Sequence, residues 1–342
     1  MVCVSGVSDP KDWVMLQDAP FVPGLRFRHF RGESDFPHVV AVAEATREVD
    51  QLEFTISIED LAREFRHLEN CDPYRDFLFA EVNGKVIGYT RLSWSKDPNG
   101  AYLYNHFVDV LPEWRGRGIR SVMLRYNEQR LRDLAQAHST EVPHLFQSVV
   151  AESERDWISV LAGEGYEVFR YGFRMVRPNM EDIPDLPFPD GIEVRPVKPE
   201  HYRAIIGAWN EACKDMRGQI PISDEDFKFF QELPIFDPSV WQIAWHENEV
   251  IGTVLNFIDA QENAQFRRKR GHVELISVKR PWRGKGIAKA LIARSFKILK
   301  DRGMTEAALG VDAENPSGAL TLYQEMGFRI EKRVAFYRKS MN

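Results

Sequence analysis

The sequence predicts an α/β (α+β) protein of two tandem domains, each a mixed, mostly antiparallel twisted sheet flanked by helices. Three observations predict it. An alternating, β-branched run over 272–278 passes through a glycine-rich turn at Gly284-Lys285-Gly286 into a long amphipathic segment. Asn83-Gly84 sits between two β-type runs, the strongest short hairpin signal. The order of such landmarks then repeats at nearly constant spacing, the mark of an internal duplication.

Residues 1–23 carry three prolines and mixed polarity and read as an irregular lead-in. From Gly24 the pattern gives a strand over Leu25–Phe30, helices over Asp35–Val49 and Ile58–His67, and a hairpin of Phe77–Val82 with Val86–Trp94. A strand over Ala101–Val110 leads into Arg115-Gly116-Arg117-Gly118-Ile119-Arg120 and a helix to about Ala137. A strand near Leu145–Val150, a helix near Asp156–Leu161 and a last hairpin after Gly165 finish the set. Gly191 then opens a second copy 167 residues after Gly24. Gly252 follows Gly88 by 164, Arg283 follows Arg115 by 168, and Gly327 follows Gly165 by 162. The expected domains are therefore 24–177 and 191–342, joined by the proline-rich segment 178–190, stiff and exposed by composition.

At 342 residues the chain exceeds one ordinary core. A net charge of −6 excludes a typical nucleic-acid binder. Cys3, Cys71 and Cys213 are odd in number and far apart, so neither a disulfide framework nor a metal site is expected. The N-terminus lacks a signal peptide's pattern and no apolar run approaches a membrane span, which points to a cytoplasmic protein without a membrane partner, monomeric or homodimeric.

The strand–turn–helix around Gly284 is where chemistry is expected. Unpaired backbone N–H groups at a helix start, with the positive end of the helix dipole, make an anion site. Gly284 and Gly286 let a pyrophosphate approach the backbone, and Arg283 and Lys285 add positive charge. Period-two alternation puts His272 and Glu274 on one strand face, six and four residues before Val278. The run Arg267–Arg270 reads as a solvated tip.

The turn Arg283-x-x-Gly286-x-Ala288, followed by Asn315…Leu322-Tyr323…Gly327-Phe328, resembles the GNAT acyltransferase superfamily in its coenzyme A loop and its last helix. The layout is similar to that of the tandem, mycothiol synthase type. The resemblance implies sheets splayed at their central strands and acetyl-CoA as co-substrate. It also implies acetyl transfer to a primary amine of a small molecule by direct attack, in the C-terminal domain. It assigns Ile276, Ser277, Val278, Arg283, Gly284, Lys285, Gly286, Ile287, Ala288 and Asn315 to the cofactor, Tyr323 to the acid, and Glu274 or His272 to the base. The N-terminal copy departs from the motif. Arg120 replaces the family's small residue, where its side chain is expected to enter the phosphate site. Leu161 stands at the tyrosine position, with Tyr104 and His106 at the paired strand positions. That copy is expected to be degenerate. The rival readings are a non-catalytic acyl-CoA-binding or scaffold protein, and transfer of a longer acyl group.

Overall fold

The computed structural model describes residues 13–97, 99–214, 221–314 and 318–341. In chain order it forms β1 (Trp13–Val14), β2 (Leu25–His29), α1 (Phe36–Val49), α2 (Ile58–Phe65), α3 (Pro73–Asp76), β3 (Phe77–Val82), β4 (Lys85–Lys96), β5 (Tyr102–Val110), α4 (Ile119–Ala135), β6 (His144–Ala151), α5 (Arg155–Gly163) and β7 (Glu167–Arg177). Then follow β8 (Ile192–Val194), α6 (Tyr202–Cys213), α7 (Asp224–Glu232), β9 (Gln242–His246), β10 (Glu249–Phe257), α8 (Ala260–Gln265), β11 (Arg270–Val278), α9 (Ile287–Asp301), β12 (Glu306–Asp312), α10 (Ala319–Glu325) and β13 (Arg329–Ser340). The lead-in is not wholly irregular, because Trp13 and Val14 pair with Arg28 and Phe27 of β2.

Contacts divide the chain into two compact units. The first holds residues 1–96, 100–169 and 336–342; the second holds 97–99 and 170–335. These limits differ from the expected 24–177 and 191–342. Most of β7, together with the 178–190 segment, belongs to the second unit, and the last residues of β13 belong to the first. Backbone pairing is the reason. Val176 to Gly172 of β7 pair antiparallel with Ala308 to Asp312 of β12, and the Met341 N–H donates to His144 O of β6 at 3.1 Å.

In the second unit the sheet order is β13-β7-β12-β11-β10-β9-β8. The β11–β12 pair is parallel and short: Arg270, Gly271 and His272 pair with Glu306, Ala307 and Ala308. From residue 273 onward the two strands splay. α9 covers one face, because Ile287, Leu291, Phe296 and Leu299 recur at helical spacing and pack on Val273, Leu309 and Phe328. Across the sheet, α6 packs Ile205 and Ala208 into a second cluster with Ile243, Trp245 and Leu255. A capping box between Ser223 and Asp226 starts α7.

The first unit runs β1-β2-β3-β4-β5-β6, continued by the end of β13. Its buried anchor is Arg28, which holds Asp35 at 2.7 Å and Glu81 at 2.5 Å.

Candidate active site

The second unit's central strand is broken by a bulge. Ser277 pairs with Thr253 and Glu274 pairs with Leu255, so one residue more lies on β11 than on β10. Leu275 takes the strain with φ 45, a left-handed value that a bulky side chain rarely adopts. A buried hydroxyl pair pins it: Thr253 Oγ1 donates to Leu275 O at 2.8 Å and lies 2.8 Å from Ser277 Oγ, which is left to donate to it. Because the peptide is trans, turning the Leu275 carbonyl toward Thr253 turns the Ile276 N–H the other way, into the splay. Thr253→Val keeps the shape but orphans both partners; we expect a loss of about 1–3 kcal/mol in a denaturation measurement.

The bulge also decides which residues face the splay. Before it, the equivalents of His272 and Glu274 in the first unit are Asn105 and Phe107, because the β4–β5 ladder runs from Gly88↔Val110 to Lys96↔Tyr102 without a bulge. The pairing of Tyr104 and His106 with His272 and Glu274, drawn from a constant spacing, is therefore corrected by one residue. Tyr104 and His106 point into the core instead, both buried, and His106 Nε2 meets the Tyr166 hydroxyl at 2.8 Å.

Glu274 is half-buried at the start of the splay, and its Oε1 accepts the Gly310 N–H across the gap at 3.1 Å. Burial pushes its carboxyl up to about 7, against the pull of His272, the Gly310 N–H and Arg174. Tyr323 of α10 is 7% exposed, and burial followed by the Glu274 charge raises its phenol above the ordinary range. The Glu274 charge thus reaches the Tyr323 phenol. His272 lies on the same face, yet its Nε2 is 3.2 Å from Glu262 Oε1 on α8. Burial opposes ionisation of Glu262, but His272 and Arg268 outweigh it and hold its carboxyl down at about 2. Of the two candidate bases, His272 is thus occupied by a partner that the sequence reading did not find.

At the end of β11 the chain enters the loop. Arg283 Nε donates to Val278 O at 2.9 Å, closing the turn. Gly284 and Gly286 have φ 74 and 80, and a Cβ on either would meet nothing within 4 Å. Gly286 caps α9 without a side-chain bond. The α9 N-terminus thus opens onto clear space, as an anion cradle requires. The Lys285 ammonium stacks over the Trp282 ring at 4.6 Å. Ile287 is buried beneath, and Ala288 is half-buried. Asn315 lies outside the described residues.

The first unit's matching loop is closed. Arg115 Nε donates to Val110 O at 3.2 Å, as Arg283 does to Val278, but its fork grips Asp50 at 2.8 and 2.6 Å. A Cβ on Gly118 would touch Pro20 of the lead-in at 3.7 Å. Arg120, expected in the phosphate site, is instead 4% exposed and bound to Asp156 at 2.8 Å, with Asp109 at 3.8 Å. Burial raises the Asp109 carboxyl, and lifts that of Glu154 to about 7. The Arg115 and Arg120 guanidiniums are thus already paired with carboxylates, which leaves less positive charge here for a pyrophosphate. Leu161, at the tyrosine position, is fully buried.

A bulged strand that splays beside an open glycine-rich turn at a helix N-terminus, with a raised carboxyl at the start of the splay, is an arrangement suited to an acyltransferase. The comparisons with known proteins agree. The model of the acetyltransferase (GNAT) family matches residues 43–147 and 206–328, and the chain belongs to that family. Among its relatives is a mycothiol acetyltransferase of Streptomyces bingchenggensis, 28% identical over 272 residues, covering 76% of this chain and 80% of that protein. Among solved structures, a GCN5-related N-acetyltransferase from Sphaerobacter thermophilus superposes with a TM-score of 0.73 at 24% identity, over 96% of this chain and 98% of that one. A tandem GNAT protein from the clavulanic acid biosynthesis pathway superposes with 0.66 at 13%, over 93% and 99%. Both likenesses concern the fold. Among the described residues no helix is long and apolar enough to cross a membrane.

Proposed function

We propose that the second unit transfers an acetyl group from acetyl-CoA to a primary amine of a small molecule by direct attack. The observation that carries this reading is Glu274 at the start of the splay beside the bulge, held by the Gly310 N–H and lifted by burial to about 7, with its charge reaching a Tyr323 phenol that stays protonated. The loop Arg283–Ala288 fits the cofactor's pyrophosphate, since its two left-handed glycines leave the α9 N-terminus uncovered. The backbone of Ile276, Ser277 and Val278 lines the pantetheine arm. The acetyl thioester supplies an electrophilic carbonyl.

Glu274 takes a proton from the acceptor's ammonium, directly or through water. The freed nitrogen attacks the carbonyl carbon and the C–N bond forms. The Ile276 N–H stabilises the oxygen that gains charge. The C–S bond then breaks, Tyr323 gives its proton to the departing thiolate, and the extra proton still on the new amide nitrogen leaves to restore the tyrosinate, directly or through water. Relatives named as mycothiol acetyltransferases support acetyl transfer to a small acceptor.

The test is release of free thiol from acetyl-CoA over a panel of primary amines. Wild-type protein is expected to turn over at least one amine, and Tyr323→Phe to lower kcat about 100-fold or more with little change in acetyl-CoA affinity. Binding of acetyl-CoA without release for any amine would favour a non-catalytic protein.

A further inference from the structure

The helix that carries Tyr323, α10, is 7 residues long, too short to hold itself helical in water, so its place depends on what fixes its ends. Its last turn closes in a Schellman pattern. The Phe328 N–H donates to Tyr323 O and the Gly327 N–H to Gln324 O, both at 3.0 Å, with Gly327 left-handed at φ 87. The carbonyl of Met326, which caps this end, goes to Arg177. Arg177 ends β7 opposite Ala307 of β12, is 8% exposed, and donates from Nη1 to Met326 O at 2.6 Å. The same guanidinium donates from Nε to Asn179 O at 3.0 Å and from Nη2 to Glu181 O at 2.6 Å. Each of these acceptors is a backbone carbonyl, and a cation at a helix C-terminus also complements the helix dipole. A Cβ on Gly327 would lie 2.5 Å from Nη1, so the guanidinium fills the space that a side chain there would need.

A second route runs through rings. The Arg177 guanidinium sits over Phe296 at 4.8 Å, Phe296 meets Phe328 at 5.6 Å, and Phe328 meets Tyr323 edge-on at 6.2 Å. We propose that Arg177 is a positioning residue for Tyr323: it clamps the C-terminus of α10 and so holds the phenol where the departing thiolate needs its proton. The inference rests on the acetyl-transfer reading above and names a residue that serves it. A guanidinium suits this task because its planar fork reaches three carbonyls at once, which an ammonium on a flexible stem does less well. Arg177 stands before Gly191, where the second copy opens, so the second repeat does not encode its own clamp. It takes the clamp from β7, and the carbonyls of Asn179 and Glu181 tie the start of the joining segment to the same guanidinium.

Two measurements test the clamp. In hydrogen exchange of the ligand-free protein, R177M is expected to speed the Met326, Gly327 and Phe328 amides roughly tenfold while the α9 amides hold, with R177K between R177M and wild type. In thiol release from acetyl-CoA, the acceptor is D-glucosamine, L-lysine or tyramine, whichever is turned over fastest. There R177M is expected to lower kcat about tenfold, with KM for acetyl-CoA within a few-fold, and R177K to restore part of the rate. In the Tyr323→Phe background the same substitution is expected to change kcat by less than about twofold, because the group it positions is gone. A general loss of structure would instead cost the same factor in both backgrounds. Acetyl-CoA titration reports that each variant is folded, and R177K carries the same cycle if R177M is not. Unchanged exchange in R177M, or an equal loss with and without the Tyr323 hydroxyl, would overturn the proposal while leaving acetyl transfer standing. A Tyr323→Phe rate equal to wild type, or release with no amine at all, would remove the acid reading and the proposal together.

Discussion

Glu274→Gln is expected to lower kcat by about two to four orders of magnitude, the usual worth of a general base, while acetyl-CoA affinity stays within a few-fold. The wild-type rate should rise with pH through about 7 and then level, because only the carboxylate accepts the proton and burial has lifted its titration to about 7. In the variant that limb should vanish. Stability should move the opposite way. A carboxyl whose folded value lies above its unfolded one contributes stability that is present below the ordinary carboxylate range and is lost as pH rises through about 7. Above that pH the Gln variant should therefore melt higher than wild type, a sign that the site keeps a strained carboxylate for use. Unchanged kcat, or a collapse of activity in His272→Gln with none in Glu274→Gln, would hand the base role to His272.

Gly286→Glu is expected to abolish acetyl-CoA binding, with at least a 100-fold loss, about 2.7 kcal/mol, in a calorimetric titration that shows about one site per wild-type chain. Gly286 sits at φ 80 with clear space where a side chain would go. A carboxylate there would meet the helix N-terminus in place of the pyrophosphate, much as Asp50 occupies the Arg115 fork in the first unit. A left-handed glutamate adds roughly 1–2 kcal/mol of strain, which falls on the free and the bound protein alike and so does not itself lower affinity. Gly118→Glu is the internal control and should leave the stoichiometry unchanged. Retained binding in Gly286→Glu with loss in Gly118→Glu would exchange the roles of the two units.

Much of this molecule was legible in the sequence because it rests on local rules. The Asn83-Gly84 hairpin, the helix-spaced apolar residues of α9 and the left-handed glycines of the loop each follow from the conformations that neighbouring residues permit. The duplication was legible too, and its spacing held one unused clue. The offset is 164 at the β10 glycine and 168 at the loop arginine, so four extra residues lie between them. Three fall in the connection that holds α8 and one is the bulge, since His272 stands 167 residues after its ladder equivalent Asn105 and Val278 stands 168 after Val110. A strand alternates faces with period two, so that single residue reverses every side chain before it, which is why Tyr104 and His106 were matched to the wrong positions.

The sequence by itself determined the two-copy plan, the helices and hairpins, and the glycine-rich turn that opens α9, each written in residues close together along the chain. Only the tertiary structure decided that Glu274 is poised near neutrality, that His272 is held by Glu262, and that β7 with Arg174 packs beside β12. Those outcomes depend on burial and on pairing between segments as far apart as Arg174 and Gly310. Desolvation and cross-strand register are properties of the packed sheet, and no local pattern of residues specifies them.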